Sequence, residues 1–191
     1  ESIFQLDNAL NEYKIAKKYI SHDILNYNLG YLLYNQEEYQ ESLAPLRSYI
    51  INNPYDYQTL SMLGDIFIIE NRHSEAIDTY NRLIDFYPDN QIYYYNIAES
   101  YLALENYFYA KKYFKKVLLF NEENTEVLLK LGKISNILNE FYESEQYFLE
   151  SIYCNHKSKE SLFQLGLAYG GQKKYLQALG AFKEALTYSL D

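Results

Sequence analysis

The sequence predicts an all-α fold built from a repeated pair of helices, and three observations predict it. Gly30, Gly64, Gly132 and Gly166 fall on a 34-residue ruler whose one empty mark is filled by another small residue, Ala98. Other columns keep their chemistry on the same ruler, and their apolar members recur at helical spacing. Pro54 and Pro88 close the first two periods, where a residue that cannot continue a helix belongs.

Helix A opens each period. One residue before each mark stand Leu29, Leu63, Ile97, Leu131 and Leu165; four before stand Asn26, Leu60, Tyr94, Leu128 and Leu162; three after stand Leu33, Phe67, Tyr101, Ser135 and Tyr169. These offsets trace one apolar stripe, interrupted at Asn26 and Ser135. Helix B follows. Twelve residues after the mark the side chain is small (Ser42, Ala76, Ala110, Ser144, Ala178), sixteen after it is large (Leu46, Tyr80, Phe114, Phe148, Phe182), and nineteen after come Tyr49, Leu83, Val117, Ser151 and Ala185. Glycine inside a helix costs about 1 kcal/mol relative to alanine, so the glycine column needs a compensating gain. Close approach of A to B supplies it, the small column of each helix admitting the large residue of the other. A column nine residues after the mark, Tyr39, Tyr107, Phe141 and Tyr175 with His73 as its exception, is expected to pack B back on A. Pro45 lies inside helix B of the first period and predicts a kink. Residues 1–22, with Ala9, Tyr13 and Ala16, read as one more helix of B character.

Composition narrows the function. With 26 acidic against 17 basic residues the net charge is -9, which argues against nucleic acid as a partner because counterion release needs a basic footprint. Lys111, Lys112, Lys115 and Lys116 cluster, and such a run is expected to be a solvated helix face. No apolar run approaches the roughly 18 residues of a membrane span; IFII at 66–69 and VLLF at 117–120 are among the longest, so no direct membrane insertion is expected. One cysteine, Cys154, can form neither an intrachain disulfide nor a thiolate metal cluster. It leaves the compartment undetermined, leaning to the cytoplasm. The chain begins at Glu1 without methionine or signal peptide, as a processed protein or a piece of a longer one would.

The spacing, the Leu-Gly pairs, the Ala/Ser column, the aromatic column and the closing prolines resemble tetratricopeptide repeats. The run YNLGYLLYNQEEY at 27–39, closed by Pro54, is especially similar to the family pattern. The resemblance implies a right-handed superhelical α-solenoid of antiparallel helix pairs, with repeats at 23–56, 57–90, 91–124, 125–158 and 159–191 and an N-terminal helix at 1–22, all in one domain. Glu122 and His156 stand where the closing proline is expected, and the last repeat ends a residue early.

In the resembled family the free face of helix A lines a concave groove where ligands go. On a helical wheel that face holds the residues two before, one after and five after the mark, flanked by those three before and four after. The columns give Tyr27, Asn28, Tyr31 and Tyr34 in the first repeat, Asp65 in the second, Tyr95, Asn96 and Glu99 in the third, and Lys130 and Lys133 in the fourth. Tyrosine offers large contact area at low rotamer cost, and asparagine can pair with a peptide backbone. The expected groove is therefore aromatic at its first end, acidic in the middle and basic at the fourth repeat. Asp65 and Glu99 would favour a basic or amide-rich central segment in a protein or peptide partner. The family's two-carboxylate clamp for acidic chaperone tails would need cationic columns. Tyr27, Tyr31, Met62, Ile92 and Asn96, or Ser61, Asp65, Asn96, Glu126 and Lys130, do not supply them.

Catalysis is not expected. His22, His73 and His156 are far apart in sequence, there is no GxSxG, HExxH or phosphate loop, and GLAYGG at 166–171 belongs to a helix A and its end. No catalytic residue, metal ligand or cofactor is assigned. The sequence thus predicts a non-catalytic interaction scaffold. Its alternative is a component of structural assembly, or a secretion chaperone, acting through self-association of uncapped ends, where Leu176, Leu179 and Leu186 would be exposed.

Overall fold

The computed structural model describes residues 12, 15, 23–154 and 158–187. The N-terminal helix expected over 1–22 lies outside these, save positions 12 and 15, which are helical. Ten helices of 12–14 residues follow one another from residue 23 on among the described residues, and none of those residues is in a strand. They are α1 (Asp23–Asn35), α2 (Tyr39–Asn52), α3 (Tyr57–Ile69), α4 (His73–Phe86), α5 (Gln91–Ala103), α6 (Tyr107–Leu118), α7 (Thr125–Ile137), α8 (Phe141–Tyr153), α9 (Lys159–Gly171) and α10 (Tyr175–Thr187). This is an all-α repeat fold. The chain forms two compact units, Glu1–Asn96 and Ile97–Asp191, with the boundary inside α5.

The glycine column does what its helix cost demands. A Cβ built on Gly30 would lie 2.5 Å from the Leu46 side chain, one on Gly64 2.7 Å from the Tyr80 ring, and one on Gly132 2.6 Å from the Phe148 ring, while Gly166 faces Phe182 in the same way. Each partner is the residue sixteen positions on. Tyr80, Phe114 and Phe148 are fully buried, and burying a side chain of that size contributes roughly 1.5–3 kcal/mol. The small column of helix B is buried throughout, from Ser42 to Ala178.

The buried surface of helix A is wider than the apolar stripe suggests. The column five before the mark (Thr59, Tyr93, Val127, Ser161) and the column two after it (Ile66, Ser100, Ile134, Ala168) are buried as well. In the first unit Tyr93 stacks on Tyr80 at 5.9 Å, so helix A also packs on the preceding helix B. A helix with two neighbours needs two buried flanks.

The A-to-B turn repeats as faithfully as the core. Glu37, Asn71, Glu105, Asn139 and Lys173, seven residues after successive marks, all adopt left-handed backbone with φ from 55° to 62°. Behind them the amides of Arg72, Asn106, Glu140 and Lys174 donate to the carbonyls of Phe67, Tyr101, Ser135 and Tyr169 at 2.7–2.9 Å, the 6→1 bond of a Schellman motif. Helix A starts are capped on the same ruler. Asp56, Asn124 and Ser158 accept backbone N–H bonds from Thr59, Val127 and Ser161. Each such cap contributes about 1 kcal/mol.

Pro45 sits buried inside α2, which runs through it. Two expectations need correction. Lys111 is not on a solvated face: it is buried and pairs with Glu140 and, at 2.7 Å, with Glu143. Burial of its stem leaves the ammonium needing those carboxylates. Tyr175, expected to pack, is 68% exposed. Its counterpart Phe141 lies against Gly171 of the next helix pair, and among the described residues no helix pair follows α10.

Candidate functional site

In the first unit, α1 places Tyr27, Asn28, Tyr31 and Tyr34 along one face because they recur at near-helical intervals. Tyr27 and Tyr31 stack at 6.1 Å, Tyr27 also meets Tyr49 at 5.1 Å, and the Tyr27 hydroxyl donates to Gln58 Oε1 at 2.7 Å. Tyr31 remains 49% exposed, the most open tyrosine of the face on α1. Asn28, Tyr95 and Asn96 are half-buried.

Asp65, on α3, is the focus of this face. Tyr34 donates its hydroxyl to Asp65 Oδ2 at 3.1 Å, and Tyr80 donates to Oδ1 at 2.6 Å. Tyr80 comes from α4, on the far side of α3. Its ring crosses over Gly64, and only the missing side chain there lets the phenol reach the opposite face. The Tyr80 hydroxyl also bonds the Asn96 side chain. Burial first, and Asp65 second, pushes Tyr34 up to about 12, and the same two causes raise Tyr80. Both phenols are therefore held as protonated donors at neutral pH. Among the described residues no cation pairs with Asp65, whereas Glu75 in the same unit is held by Arg47 at 2.7 Å and by Arg72 at 2.5 Å.

The corresponding face of the second unit is different. Lys130 pairs with Glu99 at 2.9 Å and with Glu126 at 3.7 Å, Lys133 pairs with Glu160 at 2.5 Å, and Asn136 donates to Gln164 at 3.0 and 3.1 Å. The acidic step at Glu99 and the basic step at Lys130 cancel one another locally. Of the ten sequence-assigned residues, the structure joins Tyr27 to Tyr31, Tyr34 to Asp65, and Glu99 to Lys130. Asn96 is linked to Asp65 through Tyr80, and Lys133 turns to Glu160.

Sequence reasoning missed Tyr80 as a member of this face. It is the only tyrosine in a column otherwise made of leucine and phenylalanine, and it lies in the same repeat as Asp65, the only aspartate in the column just after the mark. That mismatch of a hydroxyl in an apolar column was the available signal.

The second unit also carries an open apolar cavity of about 520 Å³ lined by Lys159, Glu160, Phe163, Phe182, Ala185 and Leu186. Leu176, Leu179 and Leu186 are 87%, 51% and 63% exposed. Among the described residues there is no group of three or more His, Cys, Asp or Glu side chains able to hold a metal, and no helix long and apolar enough to cross a membrane.

Comparison with known proteins agrees with this architecture. A TPR repeat model matches residues 64–105 and a tetratricopeptide repeat model matches residues 92–124. The BBSome complex member BBS4 of Bos taurus is 24% identical over 159 residues, which cover 83% of this chain and 30% of that protein. The peroxisomal targeting signal receptor of Saccharomyces cerevisiae is 29% identical over 113 residues, 59% of this chain and 18% of the receptor. The chain thus spans less than a third of the length of these curated relatives. Among solved structures, YrrB, described as a TPR protein with an unusual peptide-binding site, superposes with a TM-score of 0.76 at 17% identity, covering 93% of this chain and 92% of that one. MamA superposes at 0.75 with 16% identity, covering 87% and 91%. With the ruler, the paired helices and both repeat models in agreement, residues 64–124 carry tetratricopeptide repeats, and the described chain shares the all-α repeat fold of TPR proteins.

Proposed function

We propose that this protein is a non-catalytic interaction scaffold that holds a peptide or helix of a partner protein on the tyrosine-lined helix A face of its first unit. The observation that carries this is the set formed by Tyr27, Tyr31, Tyr34 and Asp65, aromatic surface beside a half-buried carboxylate fixed by two phenols. Rigid aromatic area beside an oriented polar group is what a peptide-binding surface requires. Asn28, Tyr95 and Asn96 flank it with amide and phenol groups suited to a peptide backbone. The face holding Glu99, Lys130 and Lys133 is a secondary contact surface, because its charges are already paired. The reading takes 23–56, 57–90, 91–124, 125–158 and 159–191 as five repeats. Support comes from the kind of work its relatives' names describe: a targeting-signal receptor, a member of a complex, a protein with a peptide-binding site.

The test is capture of partners from the source cells with the wild-type chain and with a Tyr31→Ala, Asp65→Lys variant of equal helicity. Partners lost from the variant alone support the face; partners kept equally by both refute it. A second reading, self-association, is favoured by the exposure of Leu176, Leu179 and Leu186 on α10, the last of which lines the apolar cavity. Concentration-dependent mass that Leu176→Glu abolishes would support it.

A further inference from the structure

Asp65 has a specificity that its two tyrosines define. A carboxylate offers about four lone-pair sites, two on each oxygen. Tyr34 occupies one on Oδ2 and Tyr80 one on Oδ1, which leaves one on each oxygen. Neutral phenols orient the group without neutralising it, and no described cation does so either. The Tyr80 phenol is fully buried, so its contribution to this orientation is fixed by the core.

Two free acceptor sites on adjacent oxygens of one fixed carboxylate match the two parallel N–H groups of a guanidinium. An ammonium would use them as a point charge and gain less from the geometry. On α1, three residues before Tyr34, the Tyr31 ring, half-exposed and stacked on Tyr27, offers a face on which a planar cation can lie. We infer that the first unit selects partner segments bearing an arginine, whose guanidinium forks onto Asp65 between the Tyr34 and Tyr80 hydroxyls. This rests on the proposed peptide-binding face and names the side chain that face reads. The remaining ion pairs of the unit do not compete: Glu75 is already occupied by Arg47 and Arg72, and Arg82 donates to the Pro54 carbonyl.

The experiment is selection of a random 12-residue peptide library on the whole 191-residue chain and on its Asp65→Asn variant, with circular dichroism of both. The expected result is an arginine at one fixed position in peptides selected by the wild type, and no such enrichment on Asp65→Asn. A second measurement uses the unaltered chain, so it does not depend on the variant folding. In the best selected peptide, replacing that arginine by citrulline should weaken binding roughly 10- to 100-fold and by lysine about 10-fold, with tighter binding at low salt. Peptides that need Tyr31 but carry no arginine, or that bind Asp65→Asn equally, would overturn the arginine assignment alone. Failure to select any peptide dependent on Tyr31 would overturn the binding face and this inference with it.

Discussion

Replacing Gly132 with alanine tests the glycine column quantitatively. The new Cβ would lie 2.6 Å from the Phe148 ring, whereas carbon atoms pack at about 3.5–4.0 Å, so the ring must retreat by about 1 Å. Phe148 is fully buried, so its ring moves within the core and against its neighbours. Overpacking of this kind costs about 1–3 kcal/mol, offset by about 1 kcal/mol of improved helix propensity. Gly180→Ala is the control. It sits inside α10 with nothing within 4 Å of its built Cβ, so it keeps the propensity gain without the clash. The difference between the two variants cancels propensity and leaves the clash, about 1–3 kcal/mol. At roughly 2–4 °C per kcal/mol for a chain of this size, Gly132→Ala should melt several degrees below Gly180→Ala by far-ultraviolet circular dichroism. Ala98, buried at the same column, shows that the site can absorb one methyl when its neighbours are arranged for it, which bounds the effect from above. Equal or higher melting of Gly132→Ala would refute close approach as the reason for the column.

Three further outcomes follow from the same geometry. Glu105 and Lys173 hold left-handed backbone at a cost of roughly 1–2 kcal/mol for a residue with a Cβ, so Glu105→Gly or Lys173→Gly should raise the melting temperature, while Gly at a right-handed surface position should lower it. Tyr34 and Tyr147 are both pushed up to about 12, chiefly by burial, from 10.0. The stabilisation linked to such raised groups is complete below pH 10 and is lost as pH rises toward 12. Ultraviolet titration should show late-ionising phenols, and Asp65→Asn should lower the Tyr34 transition only in part, leaving Tyr147 unchanged. Glu143 lies below its usual range, first because it accepts a hydrogen bond from Lys111. Its contribution is present above about pH 4.5 and disappears as pH falls through its lowered folded value, so Glu143→Gln should flatten the acid limb of a stability profile.

The repeat and its internal contact were legible because they recur at one spacing: Gly30 with Leu46, Gly64 with Tyr80 and Gly132 with Phe148 are all read from columns sixteen apart. The left-handed turn from Glu37 to Lys173 is legible only in part: Asn71 and Asn139 are of a residue type that tolerates that backbone, whereas Glu37, Glu105 and Lys173 carry no signature of it. The caps at Asp56, Asn124 and Ser158 are of residue types that mark helix starts. Contacts between successive repeats were hidden by their offset. Tyr27 to Gln58 and Tyr34 to Asp65 are 31 residues apart, as are Glu99 and Lys130, so comparing residues 34 apart never juxtaposes them. That offset is why Glu99 and Lys130 looked like separate charged steps of a groove and are in fact one ion pair. Asp65 was legible as a site residue, but its orientation by a phenol passing over Gly64 depends on packing that no column displays.

The central claim, that partners dock on the tyrosine-lined face of the first unit, is tested most directly by photo-crosslinking. A crosslinking amino acid is placed at Tyr31 in one chain and at the 71%-exposed Tyr142 of the second unit in another. Covalent capture of a partner from position 31 and not from 142, competed by a selected arginine peptide, is the expected result. Capture from 142 with none from 31 would contradict it.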